Sequence, residues 1–255
     1  QPGIAQPIGM NGVRLEAKSH LIYCSQNTKE NISKCIEELN DLRIKKFYFN
    51  QLGAAESVLT KDQRELGICL LDIGAGTTDL TIYKGGSIRF SKVFPYAGDF
   101  ITETIATSLK ITSMQAEEVK KKYGCAILDS DSQDSLKIMG NNGNRDTEIS
   151  RKALSEVIEK SLTRIIRHCA ICVEDNGMLS SMPTGYVLTG GTANLEGIKK
   201  LGESVTKNNF EIGFPTIEIP AKSEQLIKPQ FSPILGMIKF CVLEQNKQFT
   251  FNQSR

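Results

Sequence analysis

The apolar run Leu66–Gly74 ends in Gly74-Ala75-Gly76, followed at once by Thr77-Thr78-Asp79. No other stretch restricts the fold as strongly. A continuous apolar segment bounded by glycines reads as a buried strand. A second strand is expected at Thr78–Tyr83. Gly85-Gly86 then makes a hairpin turn, and Ser87–Pro95 returns as a third strand. Three consecutive antiparallel strands form a meander. One carboxylate, Asp72, is thereby delivered to the mouth of the first turn.

Helical periods surround the meander. Asp99 is placed to cap a helix over Phe100–Leu109. Ala116–Tyr123, in a helical region from about Ser113, ends at Gly124, a natural C′ glycine. Asp129–Glu148 is polar and reads as a loop or short hairpin. The longest helix is expected over about Ser150–Val173, where Leu154, Val157, Ile158, Leu162, Ile165, Cys169 and Cys172 recur at helical spacing. Gly185–Gly190 is a second buried strand running into glycines. Asn194–Val205 is amphipathic, and Pro233–Leu243 is the last apolar helix. At the other end, Gly12–Cys24 alternates like a half-buried strand. Asn27 and Glu30 offer a capping box for a helix with the stripe Ile32, Cys35, Ile36 and Leu39. Lys45–Asn50 reads as a short aromatic strand, and Ala54–Leu59 as a helix start. Strands and helices in alternation argue for an α/β fold.

Lys plus Arg number 31 and Asp plus Glu 29, a net charge of +2, and no aromatic–basic interleaving appears, so a nucleic-acid partner is not expected. No apolar run reaches the ~20 residues that span a bilayer, and Gln1–Met10 lacks the features of a secretory signal. Seven scattered cysteines, most of them inside apolar patterns, suit reduced, buried thiols. The cluster His168, Cys169 and Cys172 has no second Cys/His pair to complete a zinc site and reads as helix packing.

The chemistry concentrates at two strand–glycine turns. In Asp72-Ile73-Gly74-Ala75-Gly76-Thr77-Thr78-Asp79, glycines let backbone N–H groups approach an anion closely, and Thr77 and Thr78 can donate to phosphate oxygens. A carboxylate among phosphates makes sense if a cation lies between them, so Asp72 is a candidate Mg²⁺ ligand, through water. Val187-Leu188-Thr189-Gly190-Gly191-Thr192-Ala193 repeats the strand–glycine–helix pattern about 115 residues later. Two such turns could face one nucleotide from two sides.

DIGAGTTD resembles the second phosphate loop of the actin, Hsp70 and sugar-kinase fold, and LTGGTA resembles its adenosine loop. GVRLEAKSHLIYC, SVLTKDQRELGICLLDIGAGTTDLTIYKGGSIRFSKVFPYAG, EEVKKKYGCA, LSEVIE and YVLTGGTANLEGI together resemble the FtsA family of actin-like bacterial cell-division proteins, from about Gly9 to about Lys239. The resemblance implies an α/β, actin-like (ribonuclease H-like) ATPase fold, its second half complete and its first half partial. It divides the chain into a remnant of the extra FtsA subdomain (1–24) and the closing part of the first actin-like domain (25–60). The second actin-like domain follows (61–112 and 183–243), then an inserted subdomain of FtsZ-binding type (113–182) and a tail (244–255).

It also implies roles and partners. Asp72, Gly74, Gly76, Thr77 and Thr78 would surround the phosphates of ATP and Mg²⁺. Asp79 could bind a cation or merely close the hairpin. Glu117 and Lys120, otherwise a solvated helix face, would approach the ribose, and Gly190, Gly191 and Thr192 the adenosine. Ala75 stands where the family's loop usually has glycine. Gln51, at the hinge before Ala54-Ala55, can orient water but is no general base, so with Asp72 it would support at most slow hydrolysis. On the longest helix, Arg151, Lys152, Lys160, Arg164 and Arg167 against Glu156 and Glu159 leave a net +3 that could steer the acidic C-terminal peptide of FtsZ. Ser161 stands where a basic residue can make that contact.

The implied protein is a cytoplasmic adaptor on the inner face of the membrane at the division site. It self-associates into filaments, meets other divisome proteins and ties FtsZ to the membrane. The first DxGt-like phosphate hairpin is not found before Asp72, so weak ATP binding by this chain is expected. The residues Glu244–Arg255 do not read as a membrane helix. The alternatives are an interaction module without nucleotide, favoured by the missing hairpin, and a sugar- or acetate-kinase-type enzyme, for which no catalytic Asp facing an acceptor pocket is found.

Overall fold

The computed structural model describes residues 4, 8–17, 19–39, 42–128, 135–138, 147–216 and 221–253. The chain forms two compact units, residues 1–44 and 45–255. In the first, helix α1 (Gln26–Glu37) is preceded by Ser25, two residues ahead of the expected Asn27 cap, and Gln26 Nε2 donates to Glu30 Oε1 at 2.7 Å. Its stripe is not buried: Ile32 and Leu39 are exposed. The strand expected at Gly12–Cys24 does not form among the described residues. A strand exists only through its ladder, and the alternation there finds no partner.

The second unit runs through α2 (Asn50–Val58), α3 (Lys61–Leu66), β1 (Ile68–Ile73), β2 (Thr78–Lys84) and β3 (Ser87–Phe94). It continues through α4 (Gly98–Leu109), α5 (Ser113–Tyr123), β4 (Ser135–Ile138), β5 (Thr147–Ser150) and α6 (Arg151–Asp175). It closes with β6 (Tyr186–Thr189), α7 (Ile198–Thr206), β7 (Phe210–Ile212) and α8 (Ser232–Gln253). The expected meander forms. The aromatic strand at Lys45–Asn50 does not, and α2 instead begins at Asn50, ahead of the expected Ala54, so Gln51 lies within the helix.

Other boundaries shift for local reasons. Asp99 does not cap α4; Ala97 precedes the helix and Asp99 lies in its first turn. Gly124 ends α5 at φ −66°, not in the left-handed form expected of a C′ glycine. Glycine is required there because a Cβ would lie 2.2 Å from the Lys120 carbonyl. Gly197, at φ +77°, divides the expected Asn194–Val205 helix into a 3-10 turn (Gly191–Asn194) and α7. α8 runs on to Gln253, beyond the expected end at Leu243, because no glycine or proline follows Gly236 to stop it. The polar segment holds the short hairpin β4–β5; residues 129–134 and 139–146 lie outside the described ones.

The sheet order is β3-β2-β1-β6-β7. β1 pairs antiparallel with β2 and parallel with β6, and β6 pairs parallel with β7, giving a five-stranded mixed sheet. Period two sorts β1 between two cores. Cys69, Leu71 and Ile73 face the layer that includes Ile101 and Ile105 of α4 and Leu154, Ile158 and Leu162 of α6. Ile68 and Leu70 face Ala54, Ala55 and Val58 of α2. By the same alternation Asp72 lies on the α2 side. Cys69, Cys125 and Cys169 are buried, but Cys24, Cys35 and Cys241 are exposed, so burial is not general to the cysteines. Along α6, Cys169 is core, Cys172 half-buried, and the exposed His168 lies against the Tyr96 ring.

Leu154→Ala, at a fully buried position between α6 and the sheet, is expected to cost about 2–5 kcal/mol in urea denaturation. Ile32→Ala, on exposed α1, is expected to cost no more than about 0.5 kcal/mol. Equal costs would contradict the described core.

Candidate functional site

Parallel pairing of β1 with β6 sets Asp72 beside Thr189, so the two glycine turns leave the same sheet edge side by side. Their approach is close. Gly190 stands at φ +87°, and a Cβ on it would lie 2.5 Å from both Asp72 Oδ1 and the Ile73 carbonyl. Only glycine satisfies that conformation and that distance together.

The Gly74 carbonyl joins three segments. It accepts from the Gly98 amide at 3.0 Å and from Thr192 Oγ1 at 3.2 Å. The Asp99 amide donates to the Ala75 carbonyl at 2.8 Å, so the first turn of α4 is fastened to the loop. Gly74 N–H closes the turn on the Thr77 carbonyl, while Ala75, Gly76 and Thr77 form an exposed tip. The amides at that tip enter no turn bond among the described residues, which leaves them available to an anion. Gly191 is open, with Gln230 Cβ 4.0 Å from where its own Cβ would stand.

Not every predicted donor points into the site. Thr78 is fully buried and its hydroxyl donates to the Tyr96 carbonyl at 2.6 Å, fixing β2 rather than facing the loop tip. Thr77 donates to Asp79 Oδ2 at 3.2 Å.

Asp72 and Asp79 are directly opposed in the β1–β2 ladder. Like charges there repel. Burial, reinforced by Asp79 and opposed by a hydrogen bond from Gln51, pushes the Asp72 carboxyl up to about 6. Burial also raises Asp79, against the Thr77 hydrogen bond. Gln51 is 1 % exposed; its Nε2 lies 3.3 Å from Asp72 Oδ2, and its Oε1 is buried without a partner. Two crowded carboxylates and an orphaned amide oxygen fit a cation that keeps most of its waters. Among the described residues no three His, Cys, Asp or Glu side chains form an all-protein cage.

Glu117 and Lys120 do come together, and not as a solvated face. Lys120 Nζ lies 2.6 Å from Glu117 Oε2, 2.7 Å from Thr102 Oγ1 and 2.9 Å from the Gly98 carbonyl. These three contacts account for the ammonium's three donors. Thr102 Oγ1 lies 2.5 Å from Glu117 Oε2 and 3.1 Å from the Gly98 carbonyl, and the closer, charged acceptor takes its one proton. Burial would raise the Glu117 carboxyl, but hydrogen bonds from Lys120, Thr102 and Lys121 outweigh it and bring it to about 2. Lys120 therefore anchors the start of α4 against α5.

Gly98 and Thr102 escaped the sequence reading. A Cβ on Gly98 would stand 3.0 Å from the Gly74 carbonyl and 3.3 Å from Thr192 Oγ1. The only hint is that a glycine, poor in helices, opens the helix after β3.

The basic residues of α6 divide. Lys152, Lys160 and Arg164 are exposed, with the Arg164 guanidinium 5.3 Å from the Phe100 ring. Arg151 is half-buried and, at about 100° per residue, faces the opposite side from Lys160, so it does not join them. Ser161 is buried and donates to the Val157 carbonyl at 2.8 Å, so a basic residue at that position would not reach the exposed face without rearrangement.

Residues 69–236 match the family described as cell division protein FtsA. The cell division protein FtsA of Pseudomonas aeruginosa is 35% identical over 255 residues, covering all of this chain and 61% of that protein. That of Escherichia coli K12 is 34% identical over 248 residues, covering 94% of this chain and 59% of the relative. The chain thus spans about three fifths of the length of these curated relatives. Among solved structures, MreB5 of Spiroplasma citri bound to ADP superposes with a TM-score of 0.71 at 20% identity, covering 88% of this chain and 68% of that one. The PilM–PilN type IV pilus biogenesis complex gives 0.61 at 22% identity, covering 82% and 56%. These likenesses establish the expected actin-like α/β fold.

The raised Asp72 carboxyl has a defined sign. It ionises more readily in the unfolded chain, so the stability it contributes is present below 3.8 and lost as pH rises through about 6. In buffer with EDTA, Asp72→Asn should raise the melting temperature at pH 8 by roughly 5 °C, and by about half as much at pH 5. The same gain at both pH values would show that the penalty is not ionisation of Asp72.

Proposed function

The chain belongs to the FtsA family of cell division proteins, and from that premise we propose that it binds a magnesium–adenine nucleotide at the two glycine turns and acts as an actin-like adaptor in division. The observation that carries the reading is the close approach of Gly190 to Asp72, which brings an exposed amide-rich loop, a buried carboxylate and an open glycine to one place.

The amides of Ala75, Gly76 and Thr77 bind the phosphates. Asp72 would hold Mg²⁺ through water, and the ion would supply the positive charge that the phosphates and the Asp72–Asp79 pair call for. The orphaned Gln51 Oε1 accepts from such a water and orients it. An amide removes no proton, so turnover is slow and the nucleotide serves chiefly as a conformational ligand. Gly190, Gly191 and Thr192 form the floor under the adenosine. Glu117, with 35% of its side chain exposed, presents the polar edge toward the ribose, while Lys120 fixes it in place.

The adaptor role joins this site to partners. Lys152, Lys160 and Arg164 offer an exposed basic face on α6 for the acidic C-terminal peptide of FtsZ, and the protein works at the inner face of the cell membrane, in filaments with its own copies and with other divisome proteins. Among the described residues no helix is long and apolar enough to cross a membrane. The fold of ADP-bound MreB5 supports a nucleotide ligand.

Calorimetric titration with ADP tests the site. Weak binding, tightened about tenfold by Mg²⁺ over EDTA, is expected, and Asp72→Asn should remove the tightening while leaving Mg²⁺-free binding within about twofold. Absence of any magnesium effect in the unaltered protein would overturn the metal assignment. For the partner face, the double reversal Lys160→Glu with Arg164→Glu should abolish binding of a fluorescent acidic FtsZ peptide, whereas Arg151→Glu should weaken it far less. Retention by the double variant would remove α6 as the docking surface.

A further inference from the structure

The proposed site does little to hold α2 in place. Among the described residues, the one polar link from α2 to β1 is the 3.3 Å contact from Gln51 to Asp72, long for a hydrogen bond, and the other half of the Gln51 amide has no partner there. α2 packs on β1 through Ala54, Ala55 and Val58, and its closest backbone contacts are on the far side, with α8. A Cβ on Gly236 would lie 1.8 Å from the Gly53 carbonyl, and a Cβ on Gly53 would lie 2.4 Å from the Pro233 carbonyl and 3.0 Å from Met237 Cγ. The helices meet backbone to backbone. Ser57 Oγ donates to the Ser232 carbonyl at 2.8 Å, and Lys239 Nζ pairs with the Glu56 carboxylate at 2.8 Å.

The start of α8 is in turn tied to the sheet. Ser232 Oγ lies 2.7 Å from Thr189 Oγ1, and Thr189 is the residue of β6 beside Asp72. The links close on themselves, from Asp72 across the ladder to Thr189, to Ser232, along α8 to Gly236, across to Gly53, and through α2 to Gln51. With α8 pinned at Ser232, extra volume at the helix contact must be taken up by α2, which carries Gln51 two residues before Gly53.

We infer that Gly53 and Gly236 are positioning residues: their missing side chains set the distance between the Gln51 amide and Asp72, and so make the water-orienting half of the site depend on the seating of α8. This rests on the reading of Asp72 as the carboxylate on the magnesium side. Neither glycine touches nucleotide or metal; both act through Gln51.

The test compares Gly236→Ala with Gly202→Ala. The second change also forces a clash, placing a Cβ 2.5 Å from the Phe210 ring, but between α7 and β7 and away from α2. In nucleotide-free protein, hydrogen exchange of the Gln51 side-chain amide, followed by NMR, should speed up about tenfold in Gly236→Ala and stay unchanged in Gly202→Ala. In parallel, the tightening of ADP binding by Mg²⁺ should vanish in the first variant and persist in the second. A Gln51 amide as protected in Gly236→Ala as in the parent overturns the inference, as does equal acceleration in both variants. Should Gly236→Ala fail to fold, Ser57→Ala, which removes the hydroxyl shared between the Ser232 carbonyl and the Ala54 carbonyl of its own helix, carries the test with an expected acceleration of about threefold, and unchanged exchange overturns the inference. If the parent shows no magnesium effect on ADP, the metal reading fails, and the Gln51 exchange comparison still decides whether the α2–α8 contact positions that amide.

Discussion

Where β1 and β6 end, the backbone of Gly190 passes so near Asp72 and Ile73 that one methyl group would collide with a carboxylate oxygen and a carbonyl. That approach is possible because the two strands are parallel neighbours in register, Asp72 beside Thr189. Everything proposed for the site depends on it. The approach brings two turns from distant parts of the chain together, lets Thr192 reach the Gly74 carbonyl, and leaves the loop tip at Ala75–Thr77 exposed beside open Gly191. A side chain at residue 190 would force the turns apart, against the strand pairing and the bond from Thr192 to the Gly74 carbonyl.

Around that junction the polar groups serve two purposes. One set is satisfied within the protein and builds the frame. Lys120 spends its donors on Glu117, Thr102 and the Gly98 carbonyl, Thr78 spends its hydroxyl on Tyr96, and the first amides of α4 are spent on Gly74 and Ala75. The other set is left wanting. Asp72 and Asp79 oppose each other across a ladder, and Gln51 Oε1 is buried with no donor. Buried polar groups are normally paired, so an orphan beside two crowded carboxylates marks where something else belongs. On the proposed reading, a hydrated cation would supply both what the carboxylates lack, positive charge, and what the amide lacks, a proton donor.

The helix pair α2–α8 adds a mechanical element. Glycine-to-glycine contact is stiff, since backbone cannot rotate away as a side chain does. The position of Gln51 is thus set by a helix contact remote from the phosphates. A site built so responds to whatever moves α8.

The meander, the buried strand at residues 186–189, the long helix α6 and the chemistry of Asp72 with its glycines were legible because each rests on local pattern: apolar runs, turn glycines and a carboxylate at a strand end. Failures came where a local pattern needed a distant partner. Alternation at Gly12–Cys24 and the aromatic run at Lys45–Asn50 form no strand, since no ladder exists for them among the described residues. Glu117 and Lys120 looked like surface because helical spacing cannot show that α4 lies across them. Arg151 was grouped with Lys160 by sequence nearness, though the helix turns it to the other side. By itself the sequence determined the meander, the strand at residues 186–189 and the helices α4, α5 and α6, and which residues carry charge and glycine. Tertiary structure alone decided that Gly190 meets Asp72, that Gly98 and Thr102 join the site, and that Gly53 meets Gly236. Those contacts are made between backbones far apart in the chain, and a glycine's lack of a side chain leaves no periodic trace of what it must approach.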